Sequence, residues 1–204
     1  MAQWYKKRRT NCKKEVVTFL IVCEGQKTER IYFNKYRQRN SGLKIETPGS
    51  SVTDPNSLVD FTRSQIKKYN IDFNSGDQAW CVFDADQNSE ENIERAKKLA
   101  IAENIKLCLS NPCFELWYIL HFRYFDQRIS TSELQDEIKS HIPNYDKVKD
   151  YFDTLLSKRN SAIKNANKLN CKHSELISIS SNPSTQVVEL VKEMLKIIEN
   201  NQKK

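Results

Sequence analysis

Apolar positions in this chain follow two rhythms. Val16 to Cys23, Gln78 to Phe83 and Ile105 to Leu109 are short, largely continuous apolar stretches, the pattern of strands covered on both faces. Leu43 to Thr47 reads as a shorter strand. Between these stretches the spacing turns helical. Thr28 is placed to cap a helix running through Tyr36 with Ile31, Tyr32 and the stem of Lys35 inward. Asp54-Pro55 starts a helix carrying Leu58, Phe61, Gln65, Ile66 and Tyr69, and Ser89 or Asn88 caps one carrying Ile93, Ala96 and Ala100. Gly25, the segment Pro48-Gly49-Ser50-Ser51 and the segment Asn74 to Asp77 supply turns. The order βαβαβαβ predicts an α/β fold with a mostly parallel, four-stranded sheet flanked by helices.

Beyond the fourth strand the pattern changes. Ser110-Asn111-Pro112-Cys113-Phe114-Glu115 opens into LWYILHF, apolar on nearly every side and therefore a buried helix. From Ser130 onward everything reads as helix. A short helix begins at Thr131 or Ser132, and a long one spans Tyr145 to Ala166 with Val148, Tyr151, Phe152, Leu155, Ala162 and Ile163 on one side. A last helix, capped by Asn182-Pro183, carries the stripe Val187, Leu190, Val191, Met194 and Ile198. This divides the chain into a basic, flexible arm (1–15), a core bearing the chemistry (16–125) and a helical C-terminal part packed on it (126–204).

Composition narrows the classes. At 204 residues, 38% apolar and 29% charged, the chain fits one globular unit. No apolar run approaches the roughly 20 residues that span a bilayer, and the basic start has no secretory pattern, so a cytoplasmic location is expected. The six cysteines show neither C-x-x-C pairs nor zinc-type Cys-His spacing, and Cys23, Cys81 and Cys108 lie in apolar runs as small core residues. No G-x-x-x-x-G-K-[ST] loop is present, which argues against nucleotide hydrolysis by this chain itself. Part of the net charge of +7 is concentrated in Lys6, Lys7, Arg8, Arg9, Lys13 and Lys14, an arm suited to phosphates or simply a solvated terminus.

The chemistry resides in carboxylates. The first strand runs directly into Glu24-Gly25 and the third into Asp84-Ala85-Asp86, and the carboxyl ends of parallel strands are where such sheets bind ligands. Asp84 and Asp86 are expected to project together, with the small Ala85 leaving the approach open. Acids gathered this closely raise one another's pKa and call for cations, Mg2+ or Mn2+, with two ions the expectation. Glu29 reads equally as a metal ligand or a helix-dipole partner, and Glu115 as a dipole-compensating residue or a member of the acid group. Lys147 and Arg159, on the long helix, could face developing phosphate charge or be solvated. His121 reads as a packed core aromatic before a general base.

These residues carry a resemblance. The phrases IVCEGQKTERIYF, VFDAD and SNPCFELWYILHF, with Tyr145-Asp146-Lys147 and Asn182-Pro183-Ser184-Thr185 downstream, resemble the RloB-like proteins from about Val16 to Ile198. The amino-terminal part of that family is a Toprim domain, the metal-dependent module also found in topoisomerases, primases and the overcoming-lysogenization-defect nucleases. The resemblance implies that Glu24 transfers a proton or binds metal and that Asp84 and Asp86 bind metal. The chain reads Asp-Ala-Asp-Gln where many Toprim domains have a glycine soon after the aspartates. No tyrosine stands out as a nucleophile, so hydrolysis by water is expected. The resemblance further implies a nuclease acting on DNA or RNA, transfer RNA included, in bacterial phage defence beside an ABC-type ATPase. On that reading Lys147 assists catalysis, while Lys6, Lys7, Arg8, Arg9 and Lys27 contact nucleic acid. Two alternatives stand beside it: a non-catalytic Toprim-like module binding nucleic acid or an ATPase, and a haloacid-dehalogenase-like phosphatase with Asp84 as nucleophile.

Overall fold

The apolar runs of the sequence become the interior strands of one sheet. The structure, a computed structural model, describes residues 16–25 and 27–203. Its elements are β1 (Val17–Cys23), α1 (Thr28–Asn34), β2 (Leu43–Glu46), α2 (Pro55–Tyr69), β3 (Gln78–Asp84), α3 (Glu90–Ala102), β4 (Ile105–Asn111), α4 (Glu115–Phe122), α5 (Thr131–His141), α6 (Phe152–Leu156), α7 (Arg159–Asn170), β5 (Ser184–Thr185) and α8 (Val187–Gln202). The sheet order is β2-β1-β3-β4-β5, with β1 to β4 parallel and β5 antiparallel to β4. The chain leaves β1 first toward one edge and then returns to its other side at β3. The strand order therefore reverses between β1 and β3, the place where open α/β sheets form a crevice.

Side chains alternate across the sheet and sort the helices into two layers. Phe19, Ile21, Cys23, Trp80, Val82 and Cys108 face a layer formed by α1, α4 and the C-terminal helices. Leu20, Val22, Cys81, Phe83, Leu107 and Leu109 face α2 and α3. The first layer is aromatic. Tyr32 alone lies within 5.5–6.5 Å of the rings of Phe33, Tyr36, Phe114, Trp117, Tyr118 and Phe152, so α1 and α4 are locked together directly behind the ends of β1 and β4.

Several expectations are corrected. The sheet has five strands: the fifth is two residues long, too short for periodicity to reveal. Asn182-Pro183, expected to cap the last helix, is a cis peptide ahead of β5. The side chain of Asn182 bonds the backbone N–H and carbonyl of Ile129 at 3.0 and 2.9 Å, and the helix starts at Val187. The expected long helix from Tyr145 to Ala166 is broken: the segment 145–151 is irregular and leads into α6 and α7. Two aspartates explain the break. Asp146 accepts the N–H of Val148 at 3.1 Å and Asp150 that of Phe152 at 2.9 Å, local bonds that compete with a helical ladder. Val148 is accordingly exposed, not on a buried stripe. Helix α1 ends at Asn34 and buries Phe33 beside Tyr32, not Ile31. Among the described residues no helix is long and apolar enough to cross a membrane.

Candidate functional site

The three central strands end side by side, and each delivers an acid to the same place. Glu24 follows β1, Asp84 closes β3, and β4 leads through Pro112 into the first turn of α4, where Glu115 sits. With Glu29 from the first turn of α1, and with Asp86, these side chains line one cavity of about 400 Å³ shared with Gly25, Lys27, Thr28, Thr53, Cys113, Thr131 and Lys147. Parallel pairing in register explains the convergence: Cys23 lies opposite Val82 and Asp84 opposite Ser110. The Glu24 carboxylate accepts the backbone N–H of Asp84 at 3.1 Å.

The acids differ in their surroundings. Burial pushes the Glu24 carboxyl up to about 7 against the lowering effect of its bond from Asp84, and the charges of Asp86, Glu29 and Asp54 add to the rise. Burial also raises Asp84 well above the ordinary carboxyl range, reinforced by Glu29, Glu115, Asp86 and Glu24 in turn. Glu29 is raised by burial and by Glu115, with Lys147 opposing. Its carboxylate lies over Gly25 so closely that a Cβ there would stand 2.2 Å from its oxygens. A side chain at position 25 would have to displace the end of the Glu29 side chain from its place in the cavity. Glu115, 2% exposed, is held by the Lys147 ammonium at 3.1 Å and the Tyr145 hydroxyl, which donates at 3.1 Å. Asp86 is exposed at the rim and accepts the Thr131 hydroxyl of α5 at 2.9 Å.

Several residues lie elsewhere than the linear pattern suggests. Lys147 lies in the irregular segment after α5, not on a helix. Its backbone carbonyl accepts the Thr28 hydroxyl at 3.0 Å, a bond that replaces the capping role expected of Thr28. Ala85 is buried among the residues facing α2 and α3. It therefore points away from the cavity and leaves Asp84 and Asp86 on the other side, as strand alternation requires. Lys27 is exposed on the cavity's edge. Arg159 faces the Tyr36 phenol and His121 instead of the acids. His121 is buried, bonds the Trp117 carbonyl through Nδ1 at 2.8 Å, and is lowered to about 4 by burial, so it stays neutral. The arm residues Lys6, Lys7, Arg8 and Arg9 lie outside the described residues. Tyr145 and Thr28 belong to the site although the pattern gave them only helical roles. The sole cue in the sequence was the phrase that joins Tyr145 to Lys147.

An all-carboxylate donor set is the chemistry that hard divalent cations take. Among the described residues no three acids, histidines or cysteines already converge on one point as a finished ligand set, so an ion here would draw the side chains together. A family model for RloB-like proteins matches residues 19–194. No curated protein and no solved structure matches the chain.

Proposed function

The chain belongs to the RloB-like protein family, and on that premise we propose that it is a divalent-metal-dependent nuclease of the Toprim type, hydrolysing nucleic-acid phosphodiesters. One observation carries the reading: carboxylates from the adjoining ends of β1, β3 and β4 share a single cavity with a lysine. Mg2+ or Mn2+, held by Glu24, Asp84 and Asp86, would supply the polarisation of the phosphoryl oxygen and of water that such hydrolysis needs.

The chain's own groups fit the remaining tasks. Glu24 has two alternative roles: it binds the ion, or, left free of metal with burial holding its carboxyl up to about 7, it takes and returns a proton near neutral pH. Lys147 keeps its charge. Burial opposes the ammonium, but Glu115 and Asp84 outweigh it and hold its pKa above the ordinary value, so it offers a fixed positive charge to a phosphate in transition. A second cavity of about 510 Å³ adjoins this lysine and adds Lys139 and Lys149. It provides a basic path along which a phosphate backbone could run. Membership of the family further supports a phage-defence role beside an ABC-type ATPase.

Cleavage of labelled DNA, RNA and transfer RNA with Mg2+, with Mn2+ and with chelator, with and without the ATPase, tests the reading. Metal-dependent cutting that disappears in folded Asp84→Ala and Glu24→Gln variants is expected. The separation of the acids favours one rival, a non-catalytic binding module. Binding without cutting under every condition would establish that rival.

A further inference from the structure

The acid cavity is the middle of a longer groove. Beyond its rim lies a third cavity of about 470 Å³, which holds Arg128, Asn88, Asn111 and Ser132. Asp86 and Thr131 line both this cavity and the acid cavity, and Lys147 lines both the acid cavity and the basic one. Helix α5 forms one wall throughout. Thr131, Gln135 and Lys139 stand four residues apart and therefore on one face of the helix. They meet the groove in that order, Thr131 at the third and acid cavities, Gln135 and Lys139 at the basic one.

Each of the three cavities also presents an exposed cation that no acid neutralises. These are Arg128 in the third, Lys27 in the acid cavity and Lys149 in the basic one, and among the described residues none of their side chains makes an ion pair. Several cations elsewhere are already taken by acids of the fold, Lys35 by Asp150, Lys97 by Glu94 and Glu175, and Lys172 by Asp126. A single small anion would engage one cavity only. Unpaired cations on both sides of an acidic centre suit a polyanion that extends in both directions from the reacting group, and each contact releases condensed counter-ions from it.

Building on the nuclease reading above, we infer that one strand of the nucleic acid runs the length of this groove along α5, with the phosphodiester to be cut at the acids, Arg128 holding a phosphate on one side and Lys149 a phosphate on the other. Such contacts set where the backbone lies and read no bases.

Fluorescence anisotropy of a labelled single-stranded oligothymidylate of about 12 nucleotides, titrated with the full chain in chelator at several KCl concentrations, tests this. Arg128→Gln and Lys149→Gln are each expected to weaken binding about fivefold at about 0.1 M KCl and to lower the slope of log affinity against log salt by about 0.7, the share of one phosphate contact. The double variant is expected to lose both shares, because the acid cavity separates the two residues. Arg128→Lys should keep the wild-type slope. Lys98→Gln, at an exposed position of α3 outside the groove, should keep slope and affinity. Unchanged slopes in both glutamine variants, an equal loss in Lys98→Gln, or no binding by the wild type would overturn the inference. Metal-dependent cleavage by a protein that fails in this way would leave the nuclease reading standing with a different substrate path. The expected binding losses without cleavage in any metal would remove the nuclease reading and uphold the strand path.

Discussion

Strand β3 is bracketed by two aspartates that have opposite surroundings. Asp77, just before the strand, receives the backbone N–H of Thr18 at 2.6 Å on one oxygen and that of Asp72 at 3.0 Å on the other. Its charge is satisfied by donors that belong to the fold. Asp84, at the other end, gives its own N–H to Glu24 and is surrounded by the charges of Glu29, Glu115, Asp86 and Glu24, which raise its pKa together with burial. The same residue type, at the two ends of one strand, is thus a staple at the amino end and, at the carboxyl end, a buried acid whose ionised form its surroundings oppose. Acids perturbed this strongly in a cavity are candidates for functional residues.

Substituting each aspartate by asparagine should separate the two roles most sharply. Asp84→Asn is expected to lower metal-dependent cleavage on the order of 10³-fold or more while raising the melting temperature of the metal-free protein. Asp77→Asn is expected to keep activity and to lose roughly 1 to 3 kcal/mol of stability, because two backbone N–H groups lose a charged acceptor. Cleavage rates and thermal melts of both proteins check the crossing pattern, and equal effects on both properties would erase the distinction.

A pH series gives the next largest effect. The folded-state pKa of Glu24 is about 7 against an ordinary 4.5, so the folded chain holds this proton more tightly than the unfolded one. The associated stability is present below about pH 4.5 and is lost as pH rises to 7. Asp84 and Glu29 are also raised and act in the same direction, whereas removing only the Glu24 titration isolates its share. In metal-free protein Glu24→Gln should melt roughly 2 to 6 °C above the wild type at pH 8 and nearly level with it at pH 4.5. Parallel melting curves across the range would show that Glu24 is not strained by its surroundings.

The contrast between the two ends of β3 also shows what the linear sequence can carry. Three continuous apolar runs and one shorter stretch predicted the four parallel strands, and because parallel strands place their carboxyl ends on one side of a sheet, they put Glu24 and Asp84 at the same end. The helix caps at Asp54 and Ser89 were equally legible, since each side chain accepts the N–H groups of its own first turn. Other features depend on distant contacts. The pairing of Glu115 with Tyr145 spans 30 positions, and a helical pattern from Tyr145 onward concealed it. Asp146 and Asp150, which lie within the span expected to be helical, break the helix through bonds to Val148 and Phe152 and leave Lys147 at the cavity. Ala85 is a different case: alternation alone sends it into the core between Asp84 and Asp86, and its small size mattered for packing against α2 and α3 instead of for access.

The smallest predicted effect concerns Asp86, which lies between the two extremes. Its carboxylate is not held by backbone as that of Asp77 is, and unlike Asp84 it is exposed; it accepts the hydroxyl of Thr131, the first residue of α5. A side chain can be substituted where a backbone N–H cannot, so this contact allows the rim acid to be released without altering any carboxylate. Thr131→Val keeps the shape and removes the donor, a loss worth about 0.5 to 1.5 kcal/mol at most and less at an exposed site. Because the freed Asp86 then has to be ordered when an ion binds, Mn2+ affinity should fall about two- to fivefold with little change in the cleavage rate at saturating metal, and Thr131→Ser should restore it. If Thr131→Val binds Mn2+ as the wild type does, Asp86 does not depend on α5 for its position, and the helical part contributes to the cavity through Tyr145 and Lys147 alone.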